Sequence, residues 1–128
     1  SPIRSNKILN LAYNKLKKNK QASSLRSISV APVTPYKMWK IKGNFMKPLI
    51  KSKLKEQYNM PRQKLPVVYW QNGAFEFFRI NYKKKLDSIS GKKIIGYKIS
   101  NKYVSDIDNI DDFKIIDLKM KKIDVNVK

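Results

Sequence analysis

The sequence predicts an α/β fold in which helices interleave with short strands. Three observations predict it. Apolar residues recur at helical spacing near both ends of the chain, over 5–20 and 109–122. Between them lie short runs rich in β-branched and aromatic residues, punctuated by Pro and Gly. Neither an internal repeat nor a break in composition divides the 128 residues, so the expectation is one domain.

The first helix is expected from Ser5 to about Lys20. Ile8, Leu9, Leu11, Ala12 and Leu16 form its apolar stripe, Ser5 caps its start and lysines close it. Leu25, Ile28 and Val30 predict a strand over 24–30, which Pro32 and Pro35 then end. Residues 38–41 read as extended, with Gly43-Asn44 as a turn. Pro48 argues against a long helix beyond Phe45, leaving a short one over 49–57. Pro61 and Pro66 bracket a loop holding Arg62 and Gln63. Residues 67–70 and 74–78 are apolar runs around Gln71-Asn72-Gly73, where Asn-Gly signals a hairpin turn or a close backbone approach. A short helix over 82–87, a strand over 93–99 and a short strand over 103–107 follow. Asn109 then caps a final helix to about Lys122, with Ile110, Phe113, Ile116 and Met120 as its buried stripe.

Composition excludes several chemistries. With no Cys and no His, the chain forms no disulfide, no Cys/His zinc site, no thiol nucleophile and no His-based triad. Acid–base or metal work falls to carboxylates, Lys, Tyr or water. Neither an apolar signal-peptide core nor a membrane-length apolar run is found, and the expected location is cytoplasmic.

The net charge of +20 is what a nucleic-acid binder shows. Yet 25 of the 29 basic residues are Lys, whereas base readout and phosphate forks favour Arg. Lys, Asn and Ile, all encoded by A/T-rich codons, make up 51 residues, so a biased genome explains the excess equally well. The acids are scarcer and more telling. Six of nine fall after residue 105: Asp106, Asp108, Asp111, Asp112, Asp117 and Asp124.

Asp106 and Asp108 share a face if extended, with Cα atoms about 6.6 Å apart. Their mutual repulsion is about 0.6 kcal/mol in water and about 2.5 at an effective dielectric of 20. A divalent cation turns that repulsion into attraction, and hard oxygen ligands beside phosphate suit Mg²⁺. The alternative is a loop acid followed by a helix cap. Lys37, on a proline-stiffened turn, can meet a carboxylate or phosphate as a point charge, or is one more surface lysine. Arg62 offers a planar fork to an oxyanion, or bonds to carbonyls of its own Pro-rich loop. Arg4, just ahead of the first helix, can present its guanidinium to an anion, or belongs to a frayed end. No Gly-rich phosphate loop occurs among the four glycines.

The order of these elements carries more than any one of them. Ser1-Pro2-Ile3-Arg4, Leu25-Arg26-Ser27-Ile28 and Pro35-Tyr36-Lys37-Met38-Trp39 come first. Met60-Pro61-Arg62-Gln63-Lys64-Leu65-Pro66, Tyr69-Trp70-Gln71-Asn72-Gly73-Ala74 and Asp106-Ile107-Asp108-Asn109-Ile110-Asp111-Asp112-Phe113 follow. This succession resembles the acylneuraminate cytidylyltransferase family, the CMP-sialic acid synthetases. The resemblance implies a Rossmann-like nucleotidyltransferase fold and a Mg²⁺-dependent transfer of CMP from CTP to a nonulosonic acid, releasing pyrophosphate. It implies that Asp106 and Asp108 hold Mg²⁺, and that Lys37 and Arg62 face the acidic sugar or the phosphates. It also implies that Gln63 and Asn72 orient substrate and that Arg4 contributes to substrate binding. Finally, it implies a homodimer formed through about residues 38–70.

Three departures qualify the resemblance. The family's Ser-Pro-x-Arg follows a Gln-Pro-Thr and a Gly/Lys-rich nucleotide loop. The chain starts inside that motif, so the expectation is a C-terminal part, inactive alone. Glu76 stands where many sialic acid members carry an aromatic, which leaves the sugar open, legionaminic- and pseudaminic-type acids included. Asn109 replaces the family's usual Thr. Two other readings stand beside the enzyme: a small basic nucleic-acid-binding module and a noncatalytic dimerising remnant.

Overall fold

The computed structural model describes residues 2–80 and 90–104. The expected helices over 82–87 and 109–122, and Asp106 and Asp108, expected to hold Mg²⁺, lie outside the described residues. The described residues are mixed α/β: one α-helix, a three-stranded mixed sheet and a two-stranded hairpin. By contacts the chain divides into two compact units, Ser1–Ser29 with Gln71–Lys128, and Val30–Trp70. No helix among the described residues is long and apolar enough to cross a membrane.

In the first unit, helix α1 spans Pro2–Lys18. It begins earlier than Ser5 because proline suits the first helical position, where its missing N–H has no helical partner to lose. Leu9, Ala12, Tyr13 and Leu16 are its buried positions, spaced by three and four. Leu11 lies off that stripe and is half exposed, whereas Tyr13, absent from the expected stripe, is buried.

Strand β1 (Ser24–Val30) falls where the sequence predicts it. It is central in the three-stranded sheet, between β4 (Tyr69–Phe78) and β5 (Ile94–Lys98). β1 and β5 are parallel, in register from Ser24 opposite Ile94 to Ile28 opposite Lys98. β4 runs the other way: Arg79 N–H donates to Ser23 C=O, and Phe75 meets Ser27. Alternate residues Phe75 and Phe77 point with Leu25 toward α1. Tyr13 meets Phe77 edge-on with centroids 6.5 Å apart, and Phe75 links Phe77 to Tyr97 of β5.

The expected hairpin turn at Asn72-Gly73 is instead a bulge inside the single strand β4. Gly73 takes a φ of +75°, which its lack of Cβ permits. The Asn72 side chain bonds to β1 as well as to Ala74 N–H two residues on. At the start of the expected strand over 103–107, residues 101–103 form a 3₁₀ turn and Val104 is right-handed helical, while 105–107 lie outside the described residues.

Arg79, which carries no motif, fastens the end of α1. Its guanidinium donates to the carbonyls of Ala22 (2.7 Å), Asn19 (3.0 Å) and Leu16. A cation on the last carbonyls suits the helix dipole. Arg79→Met is expected to cost about 1.5–3 kcal/mol, the range for a hydrogen bond to a charged group. Arg79→Lys should recover only part of this, having no planar fork. Urea denaturation of the three proteins checks the ranking.

Burial raises the Tyr13 phenol above its usual pKa, against the opposing pull of Arg79. The unfolded chain therefore ionises first. Stability is full below about pH 10 and falls as pH rises through the raised folded value. Tyr13→Phe should remove that fall in a pH series of denaturation curves.

In the second unit, β2 (Trp39–Lys42) and β3 (Phe45–Pro48) pair antiparallel through the Gly43-Asn44 turn. The short helix expected over 49–57 is absent. Glu56 is left-handed (φ 47°), which breaks a right-handed helix, and a 3₁₀ turn follows at Gln57–Asn59. The segment wraps instead around the buried Gln57 side chain. Its Nε2 donates to Ile50 C=O (2.7 Å) and Tyr36 C=O (3.2 Å), and Ser52 Oγ donates to its Oε1.

Candidate functional site

In the second unit, Thr34 caps the 3₁₀ turn Pro35–Lys37, accepting from Tyr36 N–H at 3.2 Å. Pro35 fixes the first φ of that turn, and Gln57 holds its Tyr36 carbonyl. Lys37 is thus an exposed ammonium on a braced backbone. Trp39 packs on Tyr58, centroids 4.7 Å apart, and is not free to stack a ligand on that face.

Arg62 opens the 3₁₀ turn Arg62–Lys64, which also exposes Gln63. The Arg62 guanidinium donates to Pro32 C=O (2.5 Å) and Ala31 C=O. The bond to nearby carbonyls, one of its two expected roles, is present among the described residues. Beside it, Ala31, Val33, Met38, Val68, Tyr69 and Trp70 line an open apolar groove of about 340 Å³.

In the first unit, Asn72 joins a polar network with two serines of β1. Its Nδ2 donates to Ser29 Oγ (2.7 Å), and its Oδ1 accepts from Ala74 N–H (3.0 Å). Ser27 Oγ lies 2.6 Å from that Oδ1 and accepts from Phe75 N–H at 3.0 Å. Ser29 Oγ donates to Ile99 C=O of the β5 side (2.7 Å). Both serines are buried, so these bonds hold β4, β1 and β5 together where polar groups need partners. The network was missed in the sequence because only strand pairing brings alternate serines of β1 against Asn72.

Glu76 forms an ion pair with Arg26, Oε1 to Nη1 at 3.2 Å, both groups partly exposed. Ser90 Oγ accepts from the other Arg26 terminal nitrogen at 2.5 Å, and the Arg26 Nε is buried without a partner. The residue that departs from the family pattern is therefore neutralised by a neighbour from the Leu-Arg-Ser-Ile motif. Arg4 falls inside the first turn of α1 rather than ahead of it; its side chain is outside the described residues.

Lys37, Arg62 and Gln63 thus belong to one unit, and Asn72 to the other. Asp106 and Asp108 lie outside the described residues. Among the described residues, no three His, Cys, Asp or Glu side chains gather as a metal site. No family model matches the chain, and a search of curated proteins finds no match.

Proposed function

We propose that this chain is part of a cytidylyltransferase that transfers CMP from CTP to a nonulosonic, sialic-type acid. The observation that carries the reading is the parallel pairing of β1 with β5. Parallel neighbours need a crossover, the arrangement of nucleotide-handling α/β sheets, which react at the carboxyl ends of their strands. In sequence, Asp106 and Asp108 follow shortly after the carboxyl end of β5. The finer assignment, a Rossmann-like nucleotidyltransferase fold, rests on this pairing and on the order of the motifs.

In the reaction, the anomeric hydroxyl of the sugar attacks the α-phosphorus of CTP. A new P–O bond forms, the bond to the β-phosphate oxygen breaks, pyrophosphate leaves with its electron pair, and the hydroxyl proton is released to solvent water. Lys37 supplies a cation for the sugar carboxylate or the phosphates, and Gln63 an exposed amide for orientation. Arg62 and Asn72 act by holding the Pro61–Pro66 loop and the β4 bulge in place. Asp106 and Asp108 offer the hard oxygen donors Mg²⁺ takes. When bound, the ion would offset charge on the triphosphate.

The test uses this chain together with any coding sequence upstream of Ser1. Pyrophosphate release should require CTP, Mg²⁺ and the acidic sugar together. Release that ignores the sugar, or that runs equally with any nucleotide, counts against the reading.

The same reading includes a homodimer through about residues 38–70. One face of the β2–β3 hairpin is apolar: Trp39 beside Pro48 and Ile41 beside Met46. Ile41 is 74 % exposed and Met46 55 %, and a lone two-stranded hairpin is marginally stable in water. Ile41→Lys with Met46→Lys should halve the sedimenting mass. An unchanged mass in this variant would place the contact elsewhere.

A further inference from the structure

At the start of the parallel pair, the connection from α1 to β1 and the start of β5 form the walls of an open groove of about 720 Å³. Lys18, Asn19, Lys20 and Gln21 line one wall, Lys92 and Lys93 the other. All six are exposed. We propose that this groove binds a chain of phosphate groups.

Four of the six residues named are cations, and among the described residues none of the four is ion-paired. Lys93 Nζ reaches the Gln21 amide oxygen at 3.5 Å. The neutral polar groups are engaged within the protein: Asn19 Nδ2 donates to Lys15 C=O at 2.7 Å, and Gln21 receives Lys93. The ammonium groups are what the groove offers to a ligand. Like charges gathered around one cleft repel, and a multiply charged anion reverses the sign of that interaction.

The backbone beneath them is fixed. Ser23 N–H donates to Lys93 C=O (2.7 Å), and Lys93 N–H donates to Ser23 Oγ (3.3 Å). Arg79 holds the Asn19 and Ala22 carbonyls. Gly91, at φ +72°, passes so near Ser23 that a Cβ there would lie 2.3 Å from the serine Cβ.

The lining chemistry narrows the ligand. Among the described residues, no aromatic ring and no Arg fork lines the groove, so it reads charge rather than base faces or base edges. Four point charges along an open cleft suit several linked phosphates better than one. None of its lining residues has a part in the proposed transfer reaction, and the proposal does not rest on that reading. The groove sits at the amino ends of β1 and β5, whereas α/β sheets react at the carboxyl ends.

The experiment titrates the full chain by calorimetry with tripolyphosphate, orthophosphate and an oligouridylate, at about 0.15 M salt. Tripolyphosphate should bind one to one, with orthophosphate at least about tenfold weaker. Lys20→Gln with Lys93→Gln should weaken tripolyphosphate at least about tenfold. Lys7→Gln with Lys102→Gln removes the same charge near the other end of α1 and beyond the other end of β5, and should change it less than about twofold. Amide resonances of Lys20, Gln21 and Lys93 should shift on addition of tripolyphosphate, a readout that needs no variant. Equal losses in the two double variants would mean diffuse attraction and overturn the site. Binding of the oligouridylate but not tripolyphosphate, no binding by the wild type, or resonance shifts confined to other residues would overturn it as well.

Discussion

Asp106→Ala and Asp108→Ala are each expected to lower turnover by at least about a thousandfold, or about 4 kcal/mol of transition-state stabilisation. The argument is electrostatic. Attack on the α-phosphate brings an oxygen nucleophile toward a polyanion, and the leaving pyrophosphate gathers further negative charge. Lys37 supplies a single exposed cation, and the Arg62 guanidinium is bonded to Ala31 and Pro32 carbonyls. A metal held by the two aspartates would offset that charge, as the proposed function has it. On the extended geometry the sequence predicts, either substitution also relieves the repulsion between the pair, so melting temperature should hold or rise while turnover falls. Matched kinetics and thermal melts separate the two effects. A variant that loses turnover only in proportion to its folded fraction would assign the aspartates to structure.

Phe77→Ala should remove about 3–5 kcal/mol of stability, the range for deleting a fully buried aromatic side chain. Phe77 has no solvent exposure and touches Tyr13 of α1 and Phe75 beside it. The cavity would open where helix and sheet meet, and its walls come from both layers, so neither can close it alone. Phe77→Leu keeps much of the volume and should cost less, which separates packing from aromatic contact. Chemical denaturation of both variants gives the measurement. A loss under about 1 kcal/mol for the alanine variant would show that α1 is not anchored on this ring.

Much of the first unit was legible in the sequence because local pattern and burial agree there. The stripe Leu9, Ala12, Leu16 fixed the helix face, and β1 was read with its observed limits. Asn72-Gly73 misled because the same dipeptide serves a hairpin turn or a bulge. Which one forms depends on Ser27 and Ser29, more than forty residues away in sequence. The region after Pro48 misled for a related reason. Leu49, Leu54 and their polar neighbours fit a helix locally, but the buried Gln57 amide takes the carbonyls of Ile50 and Tyr36. Arg62 kept two readings in the sequence, and the bonds to the carbonyls of Ala31 and Pro32 are those that one of them expects. Arg79 carried no signal, since a helix-capping arginine sixty residues away from its helix leaves no local pattern.

The most direct measurement follows the α-phosphorus itself. The chain, expressed together with any coding sequence upstream of Ser1, is given CTP, Mg²⁺ and a nonulosonic acid, and phosphorus NMR records the products. The account predicts a CMP phosphodiester resonance growing in step with pyrophosphate, and its disappearance when Asp106 or Asp108 is alanine. CTP left intact by the folded protein, or the same diester formed by both aspartate variants, would contradict it.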